Sequence, residues 1–298
     1  MARPIRILLQ TTIPASEDDW NIERFSLLRD YLASLKDEAG NSLCEVTARN
    51  RESDNDDPVL STLEHSDFDE LWLFAVDIGA GLTDKECASI AAFRQGGGGM
   101  LVARDHQDLG SCICYLSGVG AANFFHTRNQ DPDETQRCID DPYTTNISWP
   151  NYHSGSNGDY QIITPLEPIH ELLHNPASPS GHIEFFPAHP HEGAVGVPAD
   201  ANDVRVIAVG KSLATERKFN LAVAFEAASD EQGKMLGRAV TESTFHHFAD
   251  YNWDTDMGCP SFVEEAPSDG MKKEPRALEE IKTYVRNIAL WLAPSAVE

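Results

Sequence analysis

Histidine and acidic side chains gather where short apolar runs end, and that coincidence is the first chemical signal in this chain. Arg104-Asp105-His106-Gln107 follows directly on the apolar run 100–103. His189-Pro190-His191-Glu192 follows the stretch 181–186, and His246-His247 follow Phe245. Imidazole is the commonest acid/base group near neutral pH and the commonest metal ligand. Asp105 or His106 could serve as a base, and Arg104 could clamp a carboxylate or an oxyanion. His189 and His191 are two apart, so on an extended backbone they face the same way, with the Glu192 carboxylate beside them. That is half of a zinc, iron or manganese site, to be completed by His246 or His247. Adjacent histidines on a strand face opposite sides, so only one of that pair reaches a cleft unless the chain turns there. Asp250 and Asp254 could orient it by accepting from its other ring nitrogen. Asp77 ends a further apolar run, and with Tyr152, His153, Asn157 and Asp159 it would shape the substrate side. The bland alternatives are a capped, solvated loop at 104–107, a proline-stiffened surface turn at 189–192 and an ordinary strand end at 246–247. His65, His170, His174 and His182 suggest nothing beyond surface positions.

A thiol nucleophile is the weaker reading. Gly110-Ser111-Cys112-Ile113-Cys114 superficially resembles a nucleophile elbow, but Cys112 falls about nine residues after the strand ends, too far for the sharp strand-to-helix turn such an elbow needs. The six cysteines, Cys44, Cys87, Cys112, Cys114, Cys138 and Cys259, form no CxxC pair and read mostly as buried thiols.

These side chains need elements to position them. Apolar runs predict strands at 5–12, 43–48, 71–76 and 100–103, and later at 181–186, 204–209, 219–226 and 237–245. Helical spacing predicts helices at 20–36, 59–64 and 84–95, the last opened by the capping box Thr83-Asp84-Lys85-Glu86. The segment 110–125 should be partly helical, and 168–174 a helical turn or two. A final helix starts at Pro275, with Leu278, Ile281, Val285, Ile288 and Leu292 on one face. Strands alternating with helices through the first hundred residues specify a doubly wound, mostly parallel, flavodoxin-like α/β sheet. In such sheets ligands sit at the carboxyl ends of the strands, which is where the histidines fall. Residues 126–160 form a long irregular insertion near the site, carrying Tyr143, Trp149, Tyr152 and Tyr160. The whole chain, 1–298, reads as one domain. The glycine run 96–99 precedes a strand rather than a helix, so phosphate-loop and dinucleotide motifs are absent.

Composition narrows the partners. With 23 Lys+Arg against 48 Asp+Glu the formal net charge is −25, which repels phosphate backbones and anionic lipid. A nucleic acid or membrane partner is therefore not expected. The apolar run after Met1 is too short for a signal peptide core, and no stretch approaches the roughly 20 apolar residues of a membrane span. The expectation is a soluble, cytoplasmic protein acting on a small polar molecule, with self-association left open.

Three stretches resemble class I glutamine amidotransferase-like proteins, and most of all their trehalose-utilisation (ThuA-like) branch. They are Gly97-Gly98-Gly99-Met100-Leu101-Val102 leading to His106, Leu166-Glu167-Pro168-Ile169-His170-Glu171-Leu172-Leu173, and Gly237-Arg238-Ala239-Val240 leading to His246. The likeness spans about two thirds of the chain and implies the fold rather than the chemistry. True amidotransferases carry Gly-x-Cys-x-Gly at the elbow, where this chain has Arg104-Asp105-His106-Gln107, so the resemblance implies no glutaminase activity. The expected function is a hydrolase or isomerase acting on a sugar derivative or amide through Asp105 and His106, with a divalent metal held by histidines as its candidate cofactor. The rival is a binding module of the same fold. The two differ spatially, because only the enzyme must gather His106, His153, His189 and His246 at one mouth.

Overall fold

A computed structural model describes residues 3–294 apart from 53–54, 138, 141–146, 148–150, 200 and 230–234. Cys138, Tyr143 and Trp149 lie outside the described residues. An eight-stranded sheet is built from β1 (Ile5–Thr11), β2 (Cys44–Arg49), β3 (Glu70–Phe74), β4 (Gly99–Ala103), β5 (Thr164–Pro165), β6 (Val204–Lys211), β7 (Lys218–Phe225) and β8 (Ala239–Glu242). Its spatial order is β2-β1-β3-β4-β8-β7-β6-β5. The first five in that order run parallel, and the remaining three are added antiparallel. The sheet is thus the doubly wound, mostly parallel α/β architecture that the alternating strands and helices specify.

Strands β3 and β4 are buried at every position, as expected where helices cover both faces of a parallel sheet. Alternation along each strand divides the core in two. Leu9, Trp72, Phe74 and Leu101 face α1 (Ser26–Ser34) and α3 (Pro275–Leu292), meeting Leu28, Leu32, Ile281 and Ile288. Leu8, Leu71, Leu73 and Val102 face α2 (Asp84–Gln95), meeting Ile90 and Phe93. Each fully buried leucine or isoleucine contributes roughly 1.5–3 kcal/mol. Thr83 and Glu86 close the capping box of α2 reciprocally, as the sequence requires.

The segment 110–125 is partly helical as expected, in two 3-10 turns, Ser111–Tyr115 and Val119–Ala122. Three elements depart from expectation. The helix at 20–36 begins as a 3-10 turn, Ile22–Phe25, before α1. The apolar stretch 181–186 contributes only Phe185–Pro187, paired with Tyr160–Ile162 in a separate ribbon. The run 237–245 stops at Glu242, because Thr244 caps a 3-10 turn, Phe245–His247, with its side chain. Among the described residues no helix is long and apolar enough to cross a membrane.

Candidate active site

The parallel strands end at one edge of the sheet, and above that edge lies a cavity of about 540 Å³. Val76 and Ile78 reach it from the end of β3, Asp105, His106 and Leu109 from the end of β4, and Phe245 and His246 from beyond β8. His189 and His191 come from the segment after Phe185–Pro187, Asn157 from the insertion, and Phe262, Val263, Glu264 and Glu265 from the loop before α3. Imidazoles from three separate segments therefore share one cavity, with Trp20 and Phe245 forming its apolar wall.

The turn that delivers Asp105 and His106 is backbone-strained. Gln107 adopts φ 51°, the left-handed region that non-glycine residues avoid. The buried Arg104 guanidinium holds the turn by donating to the carbonyls of Gln107 at 2.7 Å and Phe124 at 2.8 Å, and it lies over the Phe125 ring. Gly193 packs directly beneath it, where a Cβ would overlap Arg104 Nη1 and the Asp105 carbonyl. Arg104 is thereby committed to main-chain carbonyls. It does not face the cavity, which corrects its expected part as a clamp for a substrate anion.

Asp105, His189 and His246 form the innermost group, all buried, with their ligand-type atoms within 4.8 Å of one another. His189 Nε2 is 3.7 Å from Asp105 Oδ1, and His246 Nε2 is 3.8 Å from Oδ2. The two rings stack at 3.5 Å and 11°. His189 Nδ1 lies 2.8 Å from Asn157 Oδ1, and His246 Nδ1 lies 2.9 Å from Asn252 Oδ1. His106 Nδ1 is 3.2 Å from Asp105 Oδ2. His191 Nε2 instead meets Glu265 Oε1 at 2.7 Å, so it stands beside the group rather than in it.

Electrostatics sort these groups. Burial opposes charge on Asp105, but His106 and then His246 outweigh it and hold the carboxyl at about 2. Burial pulls His246 down to about 4, against the opposing pull of Asp105 and Asn252. Burial also takes His189 well below the ordinary imidazole value, helped by the neighbouring imidazoles. At neutral pH the innermost group is one carboxylate facing two uncharged rings.

His247 belongs to a different cluster behind the cavity. The 3-10 turn, rather than a strand, separates it from His246 and sends its ring into the core. Its Nδ1 is 3.0 Å from Glu242 Oε2 and its Nε2 3.3 Å from Glu192 Oε2. Burial opposes its charge, yet Glu192 and Glu242 outweigh burial and raise it to about 9. Glu192 also accepts from Ser243 Oγ at 2.7 Å and from Ser154 and Gln161. Glu242 accepts from Tyr284. Glu192 and His247 thus lie outside the cavity lining, contrary to expectation, each engaged by buried partners behind it.

The substrate-side residues divide in the same way. Asn157 lines the cavity. Tyr152 stacks on Phe219 at 4.6 Å and pairs through its backbone with Glu192, facing a second hollow. His153 is buried with its carbonyl accepting from Leu213, outside the cavity lining. Asp159 packs against Gly270, and Asp77 accepts from Thr12 Oγ1 at 2.7 Å and contacts Cys112 Sγ at 2.9 Å. Of the four histidines expected at one mouth, His106, His189 and His246 gather there and His153 does not. His170, expected at the surface, is buried, with Nε2 3.0 Å from Glu226 Oε1. Cys112 is fully buried, and burial raises its thiol well above the ordinary value, followed by Asp77. Asp250 caps α1 through Ser26 and Leu27 instead of orienting an imidazole. That part falls to Asn252, which spacing alone did not single out.

No family model matches the chain, and no curated protein matches it. In overall shape it is similar to a cytoplasmic protein from Salmonella typhimurium LT2, with TM-score 0.48, 10% identity, and coverage of 97% of this chain and 100% of that one. It is also similar to the glutaminase domain of the Trypanosoma brucei CTPS, solved with bound acivicin, with TM-score 0.44, 13% identity, and 98% of each chain covered. Likenesses this distant carry no inference about activity.

Proposed function

We propose that the chain is an enzyme that moves protons on a small polar substrate, a hydrolase or isomerase, in the cavity above β3, β4 and β8. The observation that carries this reading is the convergence of His106, His189, His191 and His246 with Asp105 from separated segments on one cavity. Hydrolysis and isomerisation both need a group that takes a proton and returns it, and His106 beside the Asp105 carboxylate suits that role. Among the described residues the cavity is lined by the acidic Asp19, Glu264 and Glu265 and by no lysine or arginine, which favours an uncharged or cationic substrate such as a sugar derivative or amide over a phosphate. A glutaminase-type thiol mechanism is not proposed, since Cys112 is buried against Asp77. That same loss of a nucleophile favours the second reading, a binding module. The likeness to the trehalose-utilisation branch rests on the three sequence stretches alone.

The chain 1–298 assayed against small amides, esters, lactones and sugar derivatives should turn over one class, with kcat falling about 10²–10⁴-fold in His106→Ala. Turnover that survives His106→Ala unchanged, or binding without turnover across the panel, would overturn the enzyme reading in favour of the module.

A further inference from the structure

We infer that the cavity is built to hold one divalent transition-metal ion, ligated by His189 Nε2, His246 Nε2 and the Asp105 carboxylate. This set differs from the one that spacing suggested, since Asp105 takes the place of His191 and His247 is excluded.

A main-chain carbonyl can only accept, and here one such group fixes two imidazoles. Ala188 O lies 2.9 Å from Asn252 Nδ2, so that atom donates and the amide oxygen of Asn252 faces the other way. His246 Nδ1, 2.9 Å from that oxygen, must then carry its proton there. The same Asn252 amide nitrogen donates to Asn157 Oδ1 at 2.9 Å, which fixes the Asn157 oxygen in turn. His189 Nδ1, 2.8 Å from Asn157 Oδ1, must donate as well. Both rings thus have their Nδ1 proton assigned by one backbone carbonyl, through one asparagine for His246 and two for His189. Each presents Nε2 toward Asp105.

That arrangement is unfavourable unless something positive stands between the three groups. His189 Nε2 is buried and has no hydrogen-bond partner. The separations of 3.7 and 3.8 Å from Asp105 are too long for charge-assisted hydrogen bonds, which close to about 2.7–2.9 Å. They are near the spacing of about 3.4 Å that two ligands take around a tetrahedral ion at about 2.1 Å from each. Stacked at 3.5 Å, the rings hold their nitrogens side by side. Two imidazoles and one carboxylate suit zinc, iron or cobalt better than calcium or magnesium, which prefer all-oxygen shells. The remaining coordination positions would open on the cavity beside His106. An ion bound there would supply an activated water or polarise a substrate oxygen.

The test reads binding without substrate, so it can fail independently of the proposed activity. The chelator-treated chain 1–298 is titrated with Co(II), followed by its visible absorption, and with Zn(II) by calorimetry. One ion per chain is expected. Asp105→Asn and His246→Ala should abolish the visible bands, and Asn252→Leu should weaken affinity about 10–100-fold by releasing the His246 ring. His191→Gln should stay within a few-fold of wild type. Melting curves of the metal-free variants confirm that each is folded. The proposal is overturned if folded wild type binds neither ion at micromolar concentration, if His246→Ala retains binding, or if His191→Gln loses it as completely as His246→Ala.

Discussion

His246 and His247 are neighbours in sequence and opposites in chemistry. The first is an uncharged ring whose Nδ1 proton goes to the neutral amide oxygen of Asn252, and its Nε2 faces the cavity. The second is a cation wedged between Glu192 and Glu242 in the core. Both rings are buried almost equally. What separates them is the partner. An amide oxygen orients an imidazole without charging it, whereas a carboxylate stabilises the charged form. The cavity therefore keeps nitrogen lone pairs available, and the cluster behind it spends its charge on holding segments together. Glu192 gathers Ser154, Gln161 and Ser243, and Ser154 in turn carries the backbone of His189. The rear cluster is scaffold, and the front cluster is what it supports.

The sharpest way to break this contrast is to remove the rear cation. His247→Leu leaves two buried carboxylates unpaired and should cost about 3–5 kcal/mol, read from urea denaturation, with His246→Ala costing clearly less. Equal losses would show that both clusters are structural. The next effect is smaller. If the front group holds an ion, free metal at about 100 times its Kd stabilises the fold by about 2.7 kcal/mol, which a chelator removes. His247-side variants that still fold should keep that chelator response, while Asp105→Asn should lose it. Gly193→Ala acts at the seam, where the residue after Glu192 packs against Arg104 and the Asp105 carbonyl. Overpacking there should cost about 1–3 kcal/mol and displace Asp105, so metal affinity and stability should fall together. The mildest test extends the lesson to sulfur. Cys112, with the Asp77 carboxylate against it, should keep its proton and resist iodoacetamide at pH 8 in the folded chain, while the half-buried Cys259 is modified. Rapid labelling of Cys112 would contradict the claim that carboxylate partners retain protons here.

Much of the scaffold is written locally, and much of the site is not. The runs at β1, β3 and β4, the Thr83–Glu86 box and the apolar face after Pro275 specify their elements through nearest neighbours, and the structure places those elements where they are expected. The site obeys longer-range rules. That Asp105 and His106 follow a strand is visible in the sequence, as is the pairing of His189 with His191. Which of His246 and His247 turns inward depends on the cap made by Thr244, and the strand-like reading of 237–245 hid it. Arg104, Glu192 and Tyr152 look like functional side chains by type. Their engagement by carbonyls, hydroxyls and a stacked phenylalanine becomes apparent only in three dimensions. Asn252 carries no signal in its immediate sequence. Its part emerges only when Ala188, Asn157 and two imidazoles are brought around it.

The chain order of the innermost group has a consequence for biosynthesis. Asp105, His189 and His246 are contributed by three well-separated portions of the polypeptide, and β8, which brings the last of them, is inserted beside β4 in the middle of the sheet. A ribosome-bound fragment that has emerged only as far as β7 owns no complete chelating set. If an ion binds there, loading would have to wait until His246 has left the ribosome, and an occupied centre would report that all three portions have come together.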